Sequence, residues 1–119
     1  MTESSPRKVI RKLFPNGALE SEYTEVGGRI DGYRRYWYPT GQLLAEAEYA
    51  NGVANGLIRE WAENGTMTLS ATRQNGVFDG LYESWWNDGK LKERGEFKDG
   101  VRQAGYCWYR SDGTLWQKL

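Results

Sequence analysis

Glycine recurs every 24 residues along the chain, and this spacing constrains the fold more than any other feature. The first series is Gly17, Gly41, Gly65, Gly89 and Gly113; the second is Gly28, Gly52, Gly76 and Gly100; the third is Gly32, Gly56 and Gly80, slipping by one to Gly105. Four residues before the first series stand Leu13, Trp37, Trp61, Trp85 and Tyr109, and two residues after it stand Leu19, Leu43, Met67, Leu91 and Leu115. Several residue types that share one period indicate a tandem repeat.

The residue before each glycine of the first series is Asn, Asp or Thr, which indicates a hairpin turn. A two-residue type I′ turn would need a positive φ at Thr40, which a β-branched residue tolerates badly. A three-residue loop, in which a type I turn precedes a left-handed glycine, fits Pro39-Thr40-Gly41 because proline is favoured at the second turn position. We therefore expect three-residue loops with a G1 bulge at the first series and return turns at the second.

This loop predicts that residues of equal parity face each other across each hairpin. The predicted pairs are Trp37 with Leu43, Trp61 with Met67, Trp85 with Leu91, and Tyr109 with Leu115, in a ladder that Ala45, Ala47, Tyr49 and Phe97 extend. We expect an all-β fold without significant helix, a single elongated, curled antiparallel sheet of about ten strands with the ladder on its inner side. The whole chain, 1–119, is expected to be one repeat domain with units at about 8–32, 33–56, 57–80, 81–105 and 106–119.

The charge balance argues against nucleic-acid and membrane partners. Sixteen basic and sixteen acidic residues cancel and are spread along the chain, so no basic footprint is evident. Cys107 is the single cysteine, which excludes an intrachain disulfide and is compatible with a reducing compartment. The segment Met1 to Lys12 is polar and basic without a following apolar stretch, so it does not resemble a secretion signal. We expect a cytoplasmic location, or a periplasmic one if a signal peptide has been removed.

The residues that enzymes use for catalysis are scarce. The chain has no histidine, which removes Ser-His and Cys-His pairs and the commonest metal ligand. Cys107 is expected to be a half-buried strand residue, and the glycine turns lack the motif of a phosphate cradle. Carboxylates that could face one another, Glu46 with Glu48 and Glu60 with Glu83, are expected to form cross-strand ion pairs beside Arg34 and Arg94. We expect no enzymatic activity, no metal and no cofactor.

The face opposite the ladder is expected to be exposed to solvent, although it is rich in aromatic residues. The candidate partner-binding residues are Tyr36, Tyr38, Tyr82, Trp86, Arg94, Tyr106, Trp108 and Trp116. In the predicted register Trp108 lies opposite Trp116, and Tyr82 lies opposite Arg94 in a possible cation–π contact. Exposed aromatic side chains beside charges are typical of interface hot spots. The alternative is that a curled sheet buries part of both faces and that these rings only shield it.

The unit Trp-x-x-(Asn/Asp)-Gly-x-Leu, followed by Tyr/Phe-x-(Asn/Asp)-Gly, resembles the MORN-repeat-variant family, which is grouped with the YwqK-type antitoxins of bacteria. Trp85-Trp-Asn-Asp88-Gly89-Lys-Leu91 and Gly95-Glu-Phe97-Lys-Asp99-Gly100 carry the resemblance. It implies stacked hairpins, no catalytic residues, and a binding role that is often immunity against a bacterial toxin. The chain departs from the pattern at Arg73-Gln74, which replaces an aromatic residue, and at Ala104-Gly105.

The sequence therefore predicts a non-catalytic protein-binding module, an immunity protein or antitoxin that neutralises a cognate toxin by direct binding. One alternative is a structural or scaffold repeat that self-associates weakly through its open sheet edges or its aromatic face. Another is binding to membrane surfaces, against which the zero net charge argues.

Overall fold

The computed structural model describes residues 6–119. The first five residues of the segment Met1 to Lys12, which was expected not to be a secretion signal, lie outside this range. None of the described residues forms a helix with the length and hydropathy needed to cross a membrane.

The described chain folds into one open antiparallel sheet of 11 strands, which confirms the all-β fold class. The strands are β1 Arg7–Leu13, β2 Leu19–Val26, β3 Arg29–Trp37, β4 Leu43–Ala50, β5 Val53–Trp61, β6 Met67–Gln74, β7 Val77–Trp85, β8 Leu91–Lys98, β9 Val101–Arg102, β10 Cys107–Tyr109 and β11 Leu115–Lys118. Each strand from β1 to β8 pairs with its neighbours in chain order; β10 follows β8, and the two-residue β9 pairs only with β8. The protein is 54 × 40 × 13 Å, so the sheet is a thin, extended layer.

The forward turns, which contain the first glycine series, are the expected three-residue loops. In the loop Pro39-Thr40-Gly41, the N–H of Gly41 donates to the carbonyl of Tyr38 (2.9 Å), and the N–H of Tyr38 donates to the carbonyl of Gln42 (2.8 Å). Gly41 has a φ of 95°, whereas Thr40 is not among the residues with positive φ. This geometry is a type I turn closed by a left-handed glycine, and it lets Thr40 avoid a positive φ.

The return turns, which contain the second glycine series, are tight two-residue loops. Asn51 and Gly52 have φ values of 52° and 84°, as a type I′ turn requires. Each return turn is also bonded to the preceding repeat: the N–H of Gly52 donates to the carbonyl of Ile30 in β3 (2.7 Å), and the N–H of Gly76 donates to that of Ala54 in β5 (2.8 Å). Because each return turn is hydrogen-bonded to the preceding repeat, the strand ends beside these turns are held in register.

A β-bulge beside each forward turn exchanges the faces of the sheet relative to the prediction. Trp37 lies opposite Leu43 as expected, but the next pair is Tyr36 with Ala45, which leaves Leu44 as an extra residue. The same shift occurs in the hairpins of Trp61, Trp85 and Tyr109. Beyond the bulge, even-numbered residues of one strand therefore lie opposite odd-numbered residues of the next.

The prediction that Ala45, Ala47, Tyr49 and Phe97 extend the Trp/Leu ladder is therefore wrong. These residues share a face with Tyr36 and Tyr82, which we call the aromatic face; the face of Trp37, Trp61 and Trp85 is the ladder face. The side chains buried in the sheet are Leu69, Ala71, Ser84, Phe97 and Tyr106. By the register all of them lie on the aromatic face, so the prediction that the ladder lines the inner side is also wrong.

Tyr106 explains the slip of the repeat at Ala104-Gly105. The N–H of Tyr106 donates to the carbonyl of Gln103 (3.2 Å), and this turn places the tyrosine ring over the sheet, where it is fully buried. A Cβ added to Gly95 would lie 2.8 Å from the Tyr106 Cα and would overlap the ring. Alanine occupies the equivalent position in the two preceding repeats, as Ala47 and Ala71. Gly95 is therefore needed for the close approach of Tyr106.

Tyr106 is also bonded through its hydroxyl group. The hydroxyl donates to Glu93 Oε1 (3.2 Å), and the ring packs at 5.5 Å from Phe97 and 4.7 Å from Trp108. Burial raises the pKa of Tyr106 from 10.0 to about 12, although the hydrogen bond from Arg102 opposes this shift. The native state therefore holds the phenol proton at a pH where the unfolded chain releases it.

We expect the substitution Gly95→Ala to lower the free energy of unfolding by about 2 kcal/mol, because the added methyl group displaces Tyr106. Urea unfolding followed by tryptophan fluorescence measures this loss. In a Tyr106→Ala background the same substitution should be neutral or stabilising, since alanine already fits this repeat position. An equal loss in both backgrounds would contradict the assigned contact.

We expect Tyr106→Phe to lower stability by about 1 kcal/mol near neutral pH, through loss of the hydrogen bond to Glu93. The difference from the unsubstituted protein should shrink as pH rises above 10.0, where ionisation of the unfolded phenol begins to favour unfolding. Urea unfolding midpoints of both proteins between about pH 8 and about pH 11 test this sign. A difference that grows with pH would contradict the raised pKa.

Candidate functional site

Stacked aromatic rings hold the C-terminal half of the aromatic face together. Phe78 and Tyr82 meet edge to face with ring centroids 5.2 Å apart, and Phe97 lies 5.3 Å from Phe78 and 5.4 Å from Tyr82. Tyr106 continues the cluster at 6.2 Å from Tyr82. Burial raises the pKa of Tyr82, and the negative charges of Glu93 and Glu60 raise it further.

Arginine side chains stack on the rings of this face. The guanidinium carbon of Arg102 lies 5.1 Å from the ring of Tyr106 and 5.5 Å from that of Trp108. Arg34 lies 5.1 Å from the ring of Tyr36, and Arg73 lies 5.7 Å from that of Tyr49. Arg73, where the repeat lacks its usual aromatic residue, therefore substitutes cation–π stacking for ring packing.

Three hollows lie side by side on the aromatic face, next to the forward turns. Two further series with the 24-residue period form their walls. The first is Phe14, Tyr38, Ala62, Trp86 and Arg110, and the second is Glu20, Leu44, Thr68, Lys92 and Trp116. The second series consists of the extra residues of the bulges. Each bulge therefore points one more side chain toward the hollows.

The central hollow is the largest, at about 580 Å³. It extends from Tyr38 and Leu44 to Trp86 across the third repeat, where the small side chains of Ala62 and Thr68 leave space. The hydroxyl of Tyr38 donates to the carbonyl of Trp61 (2.7 Å), which fixes the tyrosine at the border. The two neighbouring repeats carry Tyr38 and Trp86 at the position of Ala62, so one small residue opens the hollow.

The sides and floor of the central hollow are polar and mainly acidic. Glu60, Glu63 and Glu93 line it together with a single cation, Lys92, whose ammonium group lies 4.7 Å from the ring of Trp86. Ser84 Oγ is 3.4 Å from Glu93 Oε2, and Arg102 lies 3.8 Å from Glu93 Oε1. The hollow therefore combines aromatic walls with excess negative charge.

The flanking hollows differ in charge. The N-terminal hollow, about 300 Å³, lies between Phe14 and Tyr38, and its single carboxylate, Glu20, is 3.6 Å from Lys12. The C-terminal hollow, about 360 Å³, lies between Trp86 and Trp116. Two cations, Lys92 and Arg110, line it against Glu93 alone. The charge along the row thus changes from one hollow to the next.

Several of the candidate partner-binding residues lie together on the aromatic face. Tyr36 and Tyr38 border the N-terminal hollow, Trp86 separates the central and C-terminal hollows, and Trp108 and Trp116 line the last. Trp116 is 61% exposed. Their role in binding stays a prediction.

Three expectations for this set are wrong: the exposure of Tyr106 and two cross-strand pairs. Tyr106 is fully buried and is not available to a partner in this fold. Arg94 lies opposite Glu83 and Cys107 on the ladder face, 3.6 Å from the Glu83 carboxylate, and Tyr82 lies opposite Gly95. Trp108 lies opposite Gln117, not Trp116. The bulges cause the two register differences by exchanging parity, whereas the turn at Gln103 places Tyr106 over the sheet.

The residues that shape the central hollow were missed from the sequence. Ala62 and Thr68 are small and Glu60 was assigned to an ion pair, so none of them was a candidate. The signal was present in the period: Ala62 stands where the adjacent repeats carry Tyr38 and Trp86. A small residue in a series of large ones marks a gap in the packing.

The carboxylates examined for catalysis are arranged otherwise. Glu46 is 3.2 Å from Arg35 and 3.7 Å from Arg59, in an ion-pair cluster on the ladder face. Glu60 and Glu83 lie on opposite faces, so the expectation that they could face one another is wrong. Within residues 6–119 no group of three or more His, Cys, Asp or Glu is placed to hold a metal ion.

Comparison with known families identifies the repeat. The sequence model described as the MORN repeat variant matches residues 30–51 and 78–99, less than half of the chain. No curated protein and no solved structure matches the chain significantly. MORN repeats are generally non-catalytic and indicate a repeat-based binding or scaffold module. The chain is thus a β-hairpin repeat protein in which two segments, residues 30–51 and 78–99, match the MORN repeat variant.

Proposed function

We propose that this protein is a non-catalytic protein-binding module whose partner lies across the three hollows of the aromatic face. The observation that carries the proposal is the continuity of these hollows. Tyr38 and Leu44 are shared by the first two, and Trp86, Lys92 and Glu93 by the last two. A row of shared walls runs across the strands, and such a surface suits an extended or ridged protein surface better than a single small molecule.

The chemistry of the row supports a protein partner. Aromatic side chains with adjacent charges are typical of the hot spots of protein interfaces. The apolar part of a Tyr or Trp ring packs against the partner, while its polar group can bind water or a hydrogen-bond partner. Nucleic acid is a poor fit because Glu60, Glu63 and Glu93 would repel phosphates. A charged membrane surface is a poor fit because sixteen acidic residues balance sixteen basic ones.

The more specific proposal is that the protein is an immunity protein or antitoxin, which binds a cognate bacterial toxin in the cytoplasm and covers its active surface. It rests on the resemblance of the repeat to the YwqK-type antitoxins. A module without catalytic groups can neutralise an enzyme only by occupying its surface, and a wide, single-layered sheet offers a large surface for its mass.

A second candidate is a scaffold that self-associates, and the last strand favours it. Every residue of β11 is exposed, and the adjacent Leu119 is 53% exposed. An unpaired edge can add a strand from a second copy. The opposite edge, β1, is better protected by charge, since Arg11 is 2.7 Å from Glu22 and Arg7 is 3.6 Å from Asp31. A strict monomer in light scattering at high concentration would exclude this candidate.

Co-expression with the product of the adjacent gene tests the antitoxin proposal. We expect the two proteins to purify as a stable complex, and cells that express the toxin alone to stop growing unless this protein is present. Absence of both the complex and the protection would overturn the antitoxin proposal.

We expect Trp116→Ser to weaken the complex by about 2 kcal/mol, about 30-fold in the dissociation constant, because Trp116 is the most exposed aromatic residue of the row. Tyr33→Ser is the matched control, since Tyr33 is an exposed aromatic residue on the ladder face. Calorimetric titration of each variant measures the affinity. Equal losses for both variants, or a loss only for the control, would place the partner elsewhere.

A further inference from the structure

We propose that the central hollow binds an arginine side chain of the partner protein. This inference rests on the proposed function and names the chemistry of its main contact. A guanidinium group is flat and permanently charged, so it can stack on aromatic rings and bind carboxylates at once. The central hollow offers both kinds of partner in one place, with Tyr38 and Trp86 as walls and Glu60 on the floor.

Glu60 has no ion pair among the residues that the structure describes. Glu46, Glu83 and Glu93 each lie within 3.8 Å of an arginine nitrogen. Glu60 has no such neighbour among the described ion pairs, although it is half-buried on the aromatic face. A half-buried carboxylate without a cation is stabilised when a cation enters beside it.

The net charge of the lining points the same way. Three carboxylates line the central hollow against one ammonium group, and that group is already placed over the Trp86 ring. Glu93 is paired with Arg102, whereas Glu60 and Glu63 take part in none of the ion pairs described for residues 6–119. The C-terminal hollow has two cations against one carboxylate, and the carboxylate of the N-terminal hollow is paired with Lys12. Of the three, the central hollow therefore shows complementarity to a cation.

The rest of the sheet shows that its aromatic rings accept arginine. Arg34 stacks on Tyr23 and Tyr36, Arg35 on Tyr33, and Arg102 on three rings, at 4.6 to 5.5 Å. At the third repeat the aromatic walls stand apart, because Ala62 replaces a ring. An arginine side chain of the partner protein would fill this gap and stack on the rings, as the arginines of this chain do elsewhere on the sheet.

Other occupants fit less well. An apolar side chain would bury Glu60 without compensating its charge, which is costly. An acidic side chain would be repelled by the three carboxylates. A lysine side chain compensates the negative charge. Its compact and strongly hydrated ammonium group, however, stacks less well between two aromatic rings than a planar guanidinium group does.

The test uses four single-residue probes: N-acetyl-arginine amide, N-acetyl-lysine amide, N-acetyl-norleucine amide and N-acetyl-glutamate amide. The indole N–H of Trp86 has no hydrogen-bond partner within the described part of the chain, and its resonance in NMR spectra reports on the hollow. We expect saturable shifts with the arginine probe at millimolar concentrations, weaker shifts with lysine, and none with the other two. Equal shifts with norleucine, or no shift with arginine, would overturn the inference.

Two variants and one control locate the contact. Glu60→Gln should weaken binding of the arginine probe about tenfold, the value of one charge-assisted contact. Glu96→Gln removes the same charge from an exposed position on the ladder face and should leave binding unchanged. Ala62→Tyr repeats the residue of the preceding unit, so it fits the fold, and it should abolish binding by filling the hollow. An unchanged affinity in Glu60→Gln would overturn the inference even if Ala62→Tyr fails to fold.

The same variants distinguish this inference from the proposed function. If the partner binds the unsubstituted protein and Glu60→Gln equally well, the protein is a binding module whose partner does not place an arginine here. If the arginine probe binds but no partner protein does, the hollow is a cation site and the proposed function fails. If the arginine comes from a second copy of this chain, binding appears as Glu60-dependent dimerisation and the partner is this protein itself.

Discussion

The extra residue that each forward hairpin carries beside its turn is the constraint on which the rest of the structure depends. In the second hairpin this residue is Leu44, which lies opposite Tyr36 together with Ala45. The bulge joins even-numbered residues of one strand with odd-numbered residues of the next, and so assigns every side chain to its face. It also adds one side chain per repeat to the row of hollows, so the packing and the proposed binding surface have the same origin.

A sheet of one layer has little apolar area to bury, and the stabilisation is found in other contacts. The layer is 13 Å thick and few side chains are fully buried. Three kinds of contact connect the repeats: aromatic rings pack on one another, arginine side chains stack on rings, and return turns are hydrogen-bonded to the preceding repeat. This is the pattern of a repeat protein, where stability is a sum of unit and neighbour terms. Both faces of the sheet are therefore left without a covering layer.

The sequence predicts the period, the strand order and the turn type, because Pro39-Thr40-Gly41 allows one loop and the loop sets the first pair, Trp37 with Leu43. It does not predict the faces, since Leu43 and Leu44 are both apolar and either could enter the core. The position of Tyr106 was equally hidden, because a slip of one residue at Gly105 does not reveal which ring turns inward. Gly95, in a series that otherwise has Ala47 and Ala71, was a readable sign of a close approach. The gap at Ala62 was readable too, but only once the bulge series had a structural meaning.

The side-chain types at the two positions that form the walls of each hollow do not set the register, although the presence of the extra residue does. Ala62 and Thr68 can differ from Tyr38 and Leu44 of the preceding repeat while the turn, the bulge and the strand pairing stay the same. The shape of each hollow therefore depends on pairs of residues, one pair for each repeat, that can vary without a change in the fold, while carboxylates outside the pairs, such as Glu60, add to the charge. If the proposed partner changes during evolution, substitutions at these pairs can change the shape of the row while the fold of the sheet stays the same.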